Sequence, residues 1–233
     1  MNPCYVFAES TDPAPQSALD NSFIGGRPRL PKGEPIPRCG LCDAEQSFFF
    51  QVAMPADNPW SGLSLAVFAC TSCKDYDYIV PQWLDESVRA AGIPLGFLDA
   101  YQVNFRFLVF ASAEAIVCDR YTEKVRFKRL QLVPARESDW GKDKLGGVPD
   151  WIQHDESPGT YGPDVPMFFL MQLCEGRTFE LVPSAPGQID LDRSGTPYQS
   201  TDSFYNLFLG TPIYLFGTCS REHPRVYAIA QMD

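Results

Sequence analysis

Two short segments decide the fold, Ser47-Phe48-Phe49-Phe50-Gln51-Val52 and Leu63-Ser64-Leu65-Ala66-Val67-Phe68. Both are apolar over strand length and rich in phenylalanine and β-branched residues, which is typical of buried β-strands. The stretches 102–110 and 123–132 alternate or run apolar in the same way. The best helical candidate is Trp83–Ala91, which Gly92 and Pro94 would end. The sequence therefore predicts a mostly β fold of the α+β class.

Two glycine pairs suggest that the chain is internally duplicated. Gly25-Gly26-Arg27-Pro28 recurs as Gly146-Gly147-Val148-Pro149, an offset of 146 − 25 = 121. Each pair precedes an apolar strand that contains glutamine, and Gln51 corresponds to Gln172 at the same offset, 172 − 51 = 121. We interpret each glycine pair as a turn that brings backbone close to backbone, with a proline to end it.

A second match follows at a larger offset. Gly62–Phe68 resembles Gly210–Phe216, an offset of 148, so the second copy has 148 − 121 = 27 additional residues, among them Gln188–Ser203. We therefore predict two pseudo-duplicated β-rich halves, residues 1–134 and 135–233, packed as one globular unit. Chance similarity between two β-rich stretches is the alternative interpretation.

The chain is acidic. It has 29 acidic and 19 basic side chains and a formal net charge of −10, and residues 131–233 alone carry 14 acids and 7 bases. Such a surface repels a phosphate backbone, so we expect no nucleic acid as a direct ligand. A basic protein partner would be drawn to the second half. An acidic surface that only maintains solubility is the alternative explanation.

The sequence carries no recognisable targeting or membrane segment. Residues 1–7 lack the basic and apolar regions of a signal peptide, and no later run approaches the ~18 apolar residues of a membrane span. We therefore expect a cytoplasmic protein that does not act at a membrane. In a reducing compartment the eight cysteines are not expected to form disulfides.

The strongest motif is a pair of Cys-x-x-Cys knuckles, Cys39-Gly40-Leu41-Cys42 and Cys70-Thr71-Ser72-Cys73, with 27 residues between them. Two intervening residues let both sulfurs point at one ion, and we interpret Gly40 as relieving strain in a tight turn. Soft thiolates favour zinc, and four of them leave no position for water. We predict one structural zinc ion, held by Cys39, Cys42, Cys70 and Cys73. A redox-active dithiol and an iron–sulfur cluster are the alternatives.

Catalytic motifs are hard to find. The two histidines, His154 and His223, lie in no nucleophile or metal motif, and the glycine pairs are not followed by the helix that a dinucleotide site requires. Adjacent carboxylates such as Asp155 and Glu156 are interpreted as a solvated face. We therefore predict that the protein is not an enzyme.

The quoted residues carry a family resemblance. Residues 21–75 resemble the N-terminal part of the programmed cell death protein 2 family, through Phe23–Pro28, Cys39–Cys42, Phe49–Val52 and Phe68–Cys73. The second half resembles the bacterial YwqG-like proteins, through Lys144–Gln153, Phe169–Leu173 and Ile213–Phe216. These families are similar in fold, so the two resemblances agree.

The resemblance implies a β-rich, pseudo-duplicated fold without established enzymatic activity. Its eukaryotic branch chaperones a basic ribosomal protein, and YwqG-like proteins often look like immunity proteins that neutralise a toxin encoded beside them. We therefore expect a protein-binding protein, most simply an immunity protein or toxin inhibitor, with a chaperone for a basic, nascent ribosomal-type protein as the alternative. Because loops usually carry recognition, partner contacts are predicted at Asp190, Asp192, Tyr198 and Asp202.

Overall fold

The computed structural model describes residues 3–82, 84, 89–136 and 139–232. Within these ranges the chain forms eighteen β-strands, one short α-helix, α1 (Phe97–Ala100), and 3-10 helices of three residues each. The strands of the first half are β1 (Cys4–Glu9), β2 (Phe23–Ile24), β3 (Arg29–Pro31), β4 (Ser47–Ala53), β5 (Leu63–Ala69), β6 (Gly92–Ile93), β7 (Phe105–Ala111), β8 (Ala115–Val117) and β9 (Lys128–Pro134). Those of the second half are β10 (Lys144–Gly146), β11 (Thr160–Tyr161), β12 (Val165–Leu173), β13 (Thr178–Glu180), β14 (Ile189–Leu191), β15 (Pro197–Gln199), β16 (Phe204–Asn206), β17 (Ile213–Thr218) and β18 (Val226–Ala230).

Ten of these strands form one continuous ladder in the order β18-β17-β12-β10-β1-β9-β2-β4-β5-β7. β11 joins it on β12 and β6 pairs with β11 in parallel, which makes the sheet mixed and twelve-stranded. The prediction of a mostly β fold is confirmed. The two segments that decided it become β4 and β5, which pair antiparallel with Gln51 opposite Ala66.

The other predicted elements differ at their boundaries. The stretch 102–110 becomes a strand only from Phe105, and the stretch 123–132 only from Lys128. The predicted helix Trp83–Ala91 lies mostly outside the described residues; its described end at residues 89–90 is a turn, and Gly92 begins β6. None of the helices in the described ranges combines the length and the apolarity needed to cross a bilayer.

Several contacts recur at the offset of 121 that relates the glycine pairs. The Gln51 side-chain oxygen accepts a hydrogen bond from the Arg29 backbone N–H at 3.1 Å, and the Gln172 oxygen accepts one from Asp150 at 2.9 Å. Because 150 − 29 also equals 121, the two glutamines make equivalent hydrogen bonds, each to the segment that follows a glycine pair. Strand register is also irregular at Phe49 and at Leu170, again 121 residues apart. These correspondences support the duplication, which stays a hypothesis.

The two halves join at the centre of the sheet. There β1 of the first half pairs with β10 of the second half, while β9 pairs with β2 of its own half. β1 and β9 also pair with each other, and Ala8 lies opposite Gln131. The β1–β10 pair therefore continues the ladder from the first half into the second.

Loops of each half also contact the other half. Trp60, in the short loop between β4 and β5, is fully buried and donates its indole N–H to the Thr218 carbonyl at the end of β17. In the opposite direction, the long loop between β12 and β17 crosses to the first half, where Phe179 packs edge-on against Phe49 and Leu181 bridges to Val125. One hydrophobic cluster accordingly draws residues from both sides of the predicted boundary near residue 135.

The ends of the ladder are covered by the segment that follows α1. The Tyr101 hydroxyl donates to the Val226 carbonyl at 2.8 Å and accepts from the Ala228 N–H at 3.2 Å, on β18. The adjacent Gln102 accepts from the Phe107 N–H at 2.7 Å, on β7. These side chains satisfy backbone groups that would otherwise be open to pairing with another chain.

Candidate metal centre

The first cysteine knuckle is a tight hydrogen-bonded loop before β4. The Cys39 N–H donates to the Ala44 carbonyl and the Asp43 N–H donates to the Cys39 carbonyl, both at 2.9 Å. Inside the loop, the Leu41 N–H points at the Cys39 sulfur at 3.4 Å. Such an N–H donor stabilises the sulfur when it carries negative charge.

The second knuckle continues directly from β5. The Cys70 N–H donates to the Asn104 carbonyl at 2.7 Å, which ties the knuckle to the chain before β7. The Ser72 N–H points at the Cys70 sulfur at 3.4 Å, two residues on, as Leu41 does for Cys39. The two knuckles thus share the same contact between a backbone N–H and the first cysteine sulfur, although one precedes β4 and the other follows β5.

Gly40 is required for a reason that differs from our sequence interpretation. Its backbone is not in the left-handed region, and the strained residue of the loop is Asp43, with φ of 58°. Gly40 instead lies against Val103: its N–H donates to the Val103 carbonyl at 2.7 Å, and an added Cβ would lie 3.0 Å from that oxygen. The glycine therefore allows close packing of the knuckle.

The four cysteine sulfurs converge on one point. Sulfur–sulfur distances are 3.7 Å for Cys39 and Cys73, 3.7 Å for Cys42 and Cys70, and 3.5 Å for Cys70 and Cys73. All four sulfurs lie within 4.8 Å of one another, which leaves room for a single metal ion. Among the described residues, these cysteines form the one group of three or more histidine, cysteine or acidic side chains that could hold an ion in this way.

The thiols differ in how readily they lose their protons. Burial raises the pKa of Cys70 to about 11 and also raises the pKa of Cys73. At Cys42, burial acts in the same direction, but a backbone hydrogen bond near Ala44 and the neighbouring thiols outweigh it and lower the pKa. Ionisation of Cys70 and Cys73 at neutral pH therefore depends on a bound cation.

A partly buried lysine lies beside the cysteines. The Lys124 ammonium donates to the Ser47 hydroxyl at 3.1 Å, and that hydroxyl is 2.6 Å from the hydroxyl of Thr71, within the second knuckle. Burial lowers the pKa of Lys124, while the charge of Cys70 acts against that shift. Four thiolates around a divalent ion carry net negative charge, which Lys124 partly balances. No motif in the sequence pointed to this residue.

The long loop of the second half covers one side of the centre. The Ile189 N–H, in β14, donates to the Thr71 carbonyl at 3.0 Å. Lys74, directly after the last cysteine, has only 11% of its side chain exposed and pairs with Asp190 at 3.4 Å. A segment far away in the sequence therefore packs against the second knuckle.

The four residues predicted to contact a partner all lie on the hairpin of β14 and β15 or just after it. Asp190 is the partner of Lys74, and Asp192 accepts from the N–H groups of Ser194 and Thr196 to hold the turn between β14 and β15. Tyr198 lies opposite Asp190 on β15 with 49% of its surface exposed. Asp202 is exposed and accepts from the Ser200 hydroxyl. All three acids thus have side-chain contacts within the chain, and the role of the four residues in partner binding stays a prediction.

The histidines lie apart from the cysteine centre. The imidazole of His154 is 3.0 Å from the Glu156 carboxylate, with two thirds of its side chain exposed. The His223 N–H donates to the Ser220 hydroxyl in an exposed turn after β17. Neither histidine belongs to the metal-ligand group, so the four thiols carry the chemistry of this site.

Fold and site together define a mostly β protein with a four-cysteine candidate metal centre. No model of a known protein family matches the chain, and no curated protein matches it with significant similarity. Resemblance to the programmed cell death protein 2 and YwqG-like families therefore stays a prediction. What the chain does has to be argued from its geometry.

Proposed function

We propose that the centre binds one structural zinc ion. The observation that carries this proposal is the spacing of the sulfurs: at a Zn–S bond of about 2.3 Å, the ligands of a tetrahedral ion lie about 3.8 Å apart. The 3.5–3.7 Å distances agree with that value. Four cysteine ligands close the coordination sphere, so the ion would stabilise the knuckles and would not activate a water molecule.

The same distances disfavour the alternatives. The closest sulfurs, 3.5 Å apart, are well beyond the ~2.05 Å of a disulfide, and all eight cysteines are free thiols. An iron–sulfur cluster interposes several iron and sulfide ions between its cysteines and needs a wider set. Four sulfurs within 4.8 Å of one another suit a single ion better.

We further propose that this zinc-stabilised protein acts by binding. The protein binds a basic protein partner and does not catalyse a reaction; toxin neutralisation, as an immunity protein does, is the form of this function that we propose. Support comes from the net charge of −10, from a centre without an open coordination position, and from histidines that stand apart from it. Complementary charge accelerates association and selects partners.

Metal analysis of the purified protein tests the zinc assignment. We expect about one zinc per chain, since the four sulfurs form one site. Cys42→Ser should lose the metal, whereas Cys219→Ser, which removes an exposed thiol outside the centre, should retain it. A chain without zinc, or a cobalt-substituted protein whose visible absorption reports an added water ligand, would overturn the structural role.

The binding function is tested with the protein at native abundance in its own cells. We expect affinity capture to recover a basic protein that is encoded beside this one and is toxic when expressed alone, and co-expression to suppress that toxicity. Recovery of a nascent ribosomal protein would replace toxin neutralisation with the chaperone function. A neighbouring toxin that the protein neither captures nor suppresses would count against the proposal.

A further inference from the structure

A cleft of about 290 Å³ opens where the short loop of the first half meets the second half. Its walls include Tyr5 of β1, the loop 55–59, and Phe168 and Phe169 of β12. None of the four cysteines of the metal centre lines this cleft. It is therefore a separate feature from the metal centre.

A single carboxylate belongs to this cleft, that of Asp57. The Tyr5 hydroxyl donates to one of its oxygens at 2.6 Å. This hydrogen bond raises the pKa of Tyr5, which keeps the hydroxyl protonated and donating. Among the described residues, no lysine, arginine or histidine lies within 4.0 Å of Asp57, in contrast to Asp150, whose carboxylate pairs with Lys144 at 2.6 Å. The carboxylate of Asp57 is thus positioned but lacks a described cation.

The two phenylalanine rings that line the cleft pack against other aromatic side chains. Phe168 meets the buried Trp60 edge-on with ring centroids 5.6 Å apart, and Phe169 meets Phe216 at 5.6 Å. Rings held in this way lose little freedom when a ligand arrives. The faces of aromatic rings attract cations, and a planar guanidinium also stacks on them.

In the first half, the place that corresponds to this cleft is covered by the long loop. The Gly26 N–H donates to the Val125 carbonyl as the Gly147 N–H donates to the Pro3 carbonyl, both at 2.9 Å. At Val125 the long loop adds Leu181 as a bridge. At Pro3 the covering loop is the much shorter one that carries Asp57, and the cleft remains open beside it. The space is therefore a consequence of unequal loop lengths.

We propose that this cleft binds the guanidinium group of an arginine presented by the basic partner, with Asp57 as its counter-ion and the aromatic walls as its stacking surface. The assignment rests on the proposed binding function for the choice of a protein as the source of the cation. It follows the charge of the site, because a carboxylate among aromatic rings and without a described cation is complementary to an organic cation.

Binding of a small probe tests the cleft without the partner. N-acetyl-arginine amide is titrated into the full chain and followed by NMR, with N-acetyl-citrulline amide as the neutral isostere. We expect arginine-selective binding with Kd on the order of 1 mM, weakened at least about tenfold by Asp57→Asn, since the ion pair contributes a large part of so small an affinity. Asp164→Asn removes an exposed carboxylate between β11 and β12 and should leave the affinity unchanged.

Thermal unfolding confirms first that each variant is folded; if Asp57→Asn is not, Tyr5→Phe replaces it, because it removes the hydrogen bond that positions the carboxylate. Equal affinity of wild type and a folded cleft variant, or equal binding of citrulline, would overturn the cation site. If the probe binds through Asp57 but Asp57→Asn still captures the partner with unchanged affinity, the cation is a free small molecule and the partner assignment is wrong. If no partner is captured but the arginine probe still binds in an Asp57-dependent way, the proposed function is wrong and the cleft is nevertheless a cation site.

Discussion

At Gly25, backbone oxygens occupy the space where a side chain would begin. A Cβ built at this position would lie 2.3 Å from the Val125 carbonyl oxygen and 2.4 Å from that of Arg126. Val125 is held in place by its bridge to Leu181, and the Gly25 N–H donates to the Phe49 carbonyl. The residue therefore joins the turn after β2 to two neighbouring segments, and none of them can easily move away.

Gly25→Ala should destabilise the protein far more than a glycine substitution in open space. Gly176 is the matched control, because its φ of 72° is at least as costly for alanine as the 57° of Gly25, yet nothing lies within 4 Å of its added Cβ. We expect Gly176→Ala to lower the free energy of unfolding by about 1 kcal/mol and Gly25→Ala by at least ~2 kcal/mol more. Denaturant unfolding measures both, and equal losses would show that the close approach at Gly25 is not restrictive.

At the scale of elements, the sequence predicted what depends on neighbours along the chain. β4 and β5 were recognisable because both are continuous apolar segments, buried over nearly their whole length. The two knuckles were recognisable because two-residue spacing within each motif and thiolate chemistry suffice to indicate a metal site. The start of β9 was placed too early, since the residues before Lys128 are extended but pair with the long loop through Val125 and Arg126.

The features that escaped prediction all depend on contacts between distant residues. Lys124 lies near the centre only because Ser47 and Thr71 meet there, and Asp57 faces Tyr5 across 52 residues of sequence. The insertion was interpreted as a recognition loop, and the hydrogen bond of its strand β14 to Thr71, beside the metal centre, was not foreseen. Periodicity and spacing describe local geometry, and such pairings are set by packing of the whole chain.

For the whole molecule, the continuous sheet and the loops that reach across the boundary couple the two halves. The short loop anchors Trp60 on β17, the long loop packs Phe179 on β4, and β1 pairs with β10 across the boundary. Global unfolding should therefore be cooperative. The knuckles themselves lie outside the strands, so a bound metal would be a main support for them, on the order of 10 kcal/mol for structural zinc. Removal of the metal should thus open a local region before the shared core is lost.

Amide hydrogen exchange on the full chain, with and without a zinc chelator, distinguishes local opening from global unfolding. After metal removal we expect faster exchange at Gly40 and Cys70, and also at Ile189, because its N–H is bonded to the Thr71 carbonyl of the second knuckle. Protection should persist at Ile229, which lies fully buried in β18 and pairs with β17 far from the cysteines in the sheet. Cys42→Ser should reproduce this pattern without chelator, and Cys219→Ser should not. If β18 loses protection together with the knuckles, the metal supports the entire fold; if Ile189 remains protected while the knuckles open, the long loop does not depend on the centre for its position.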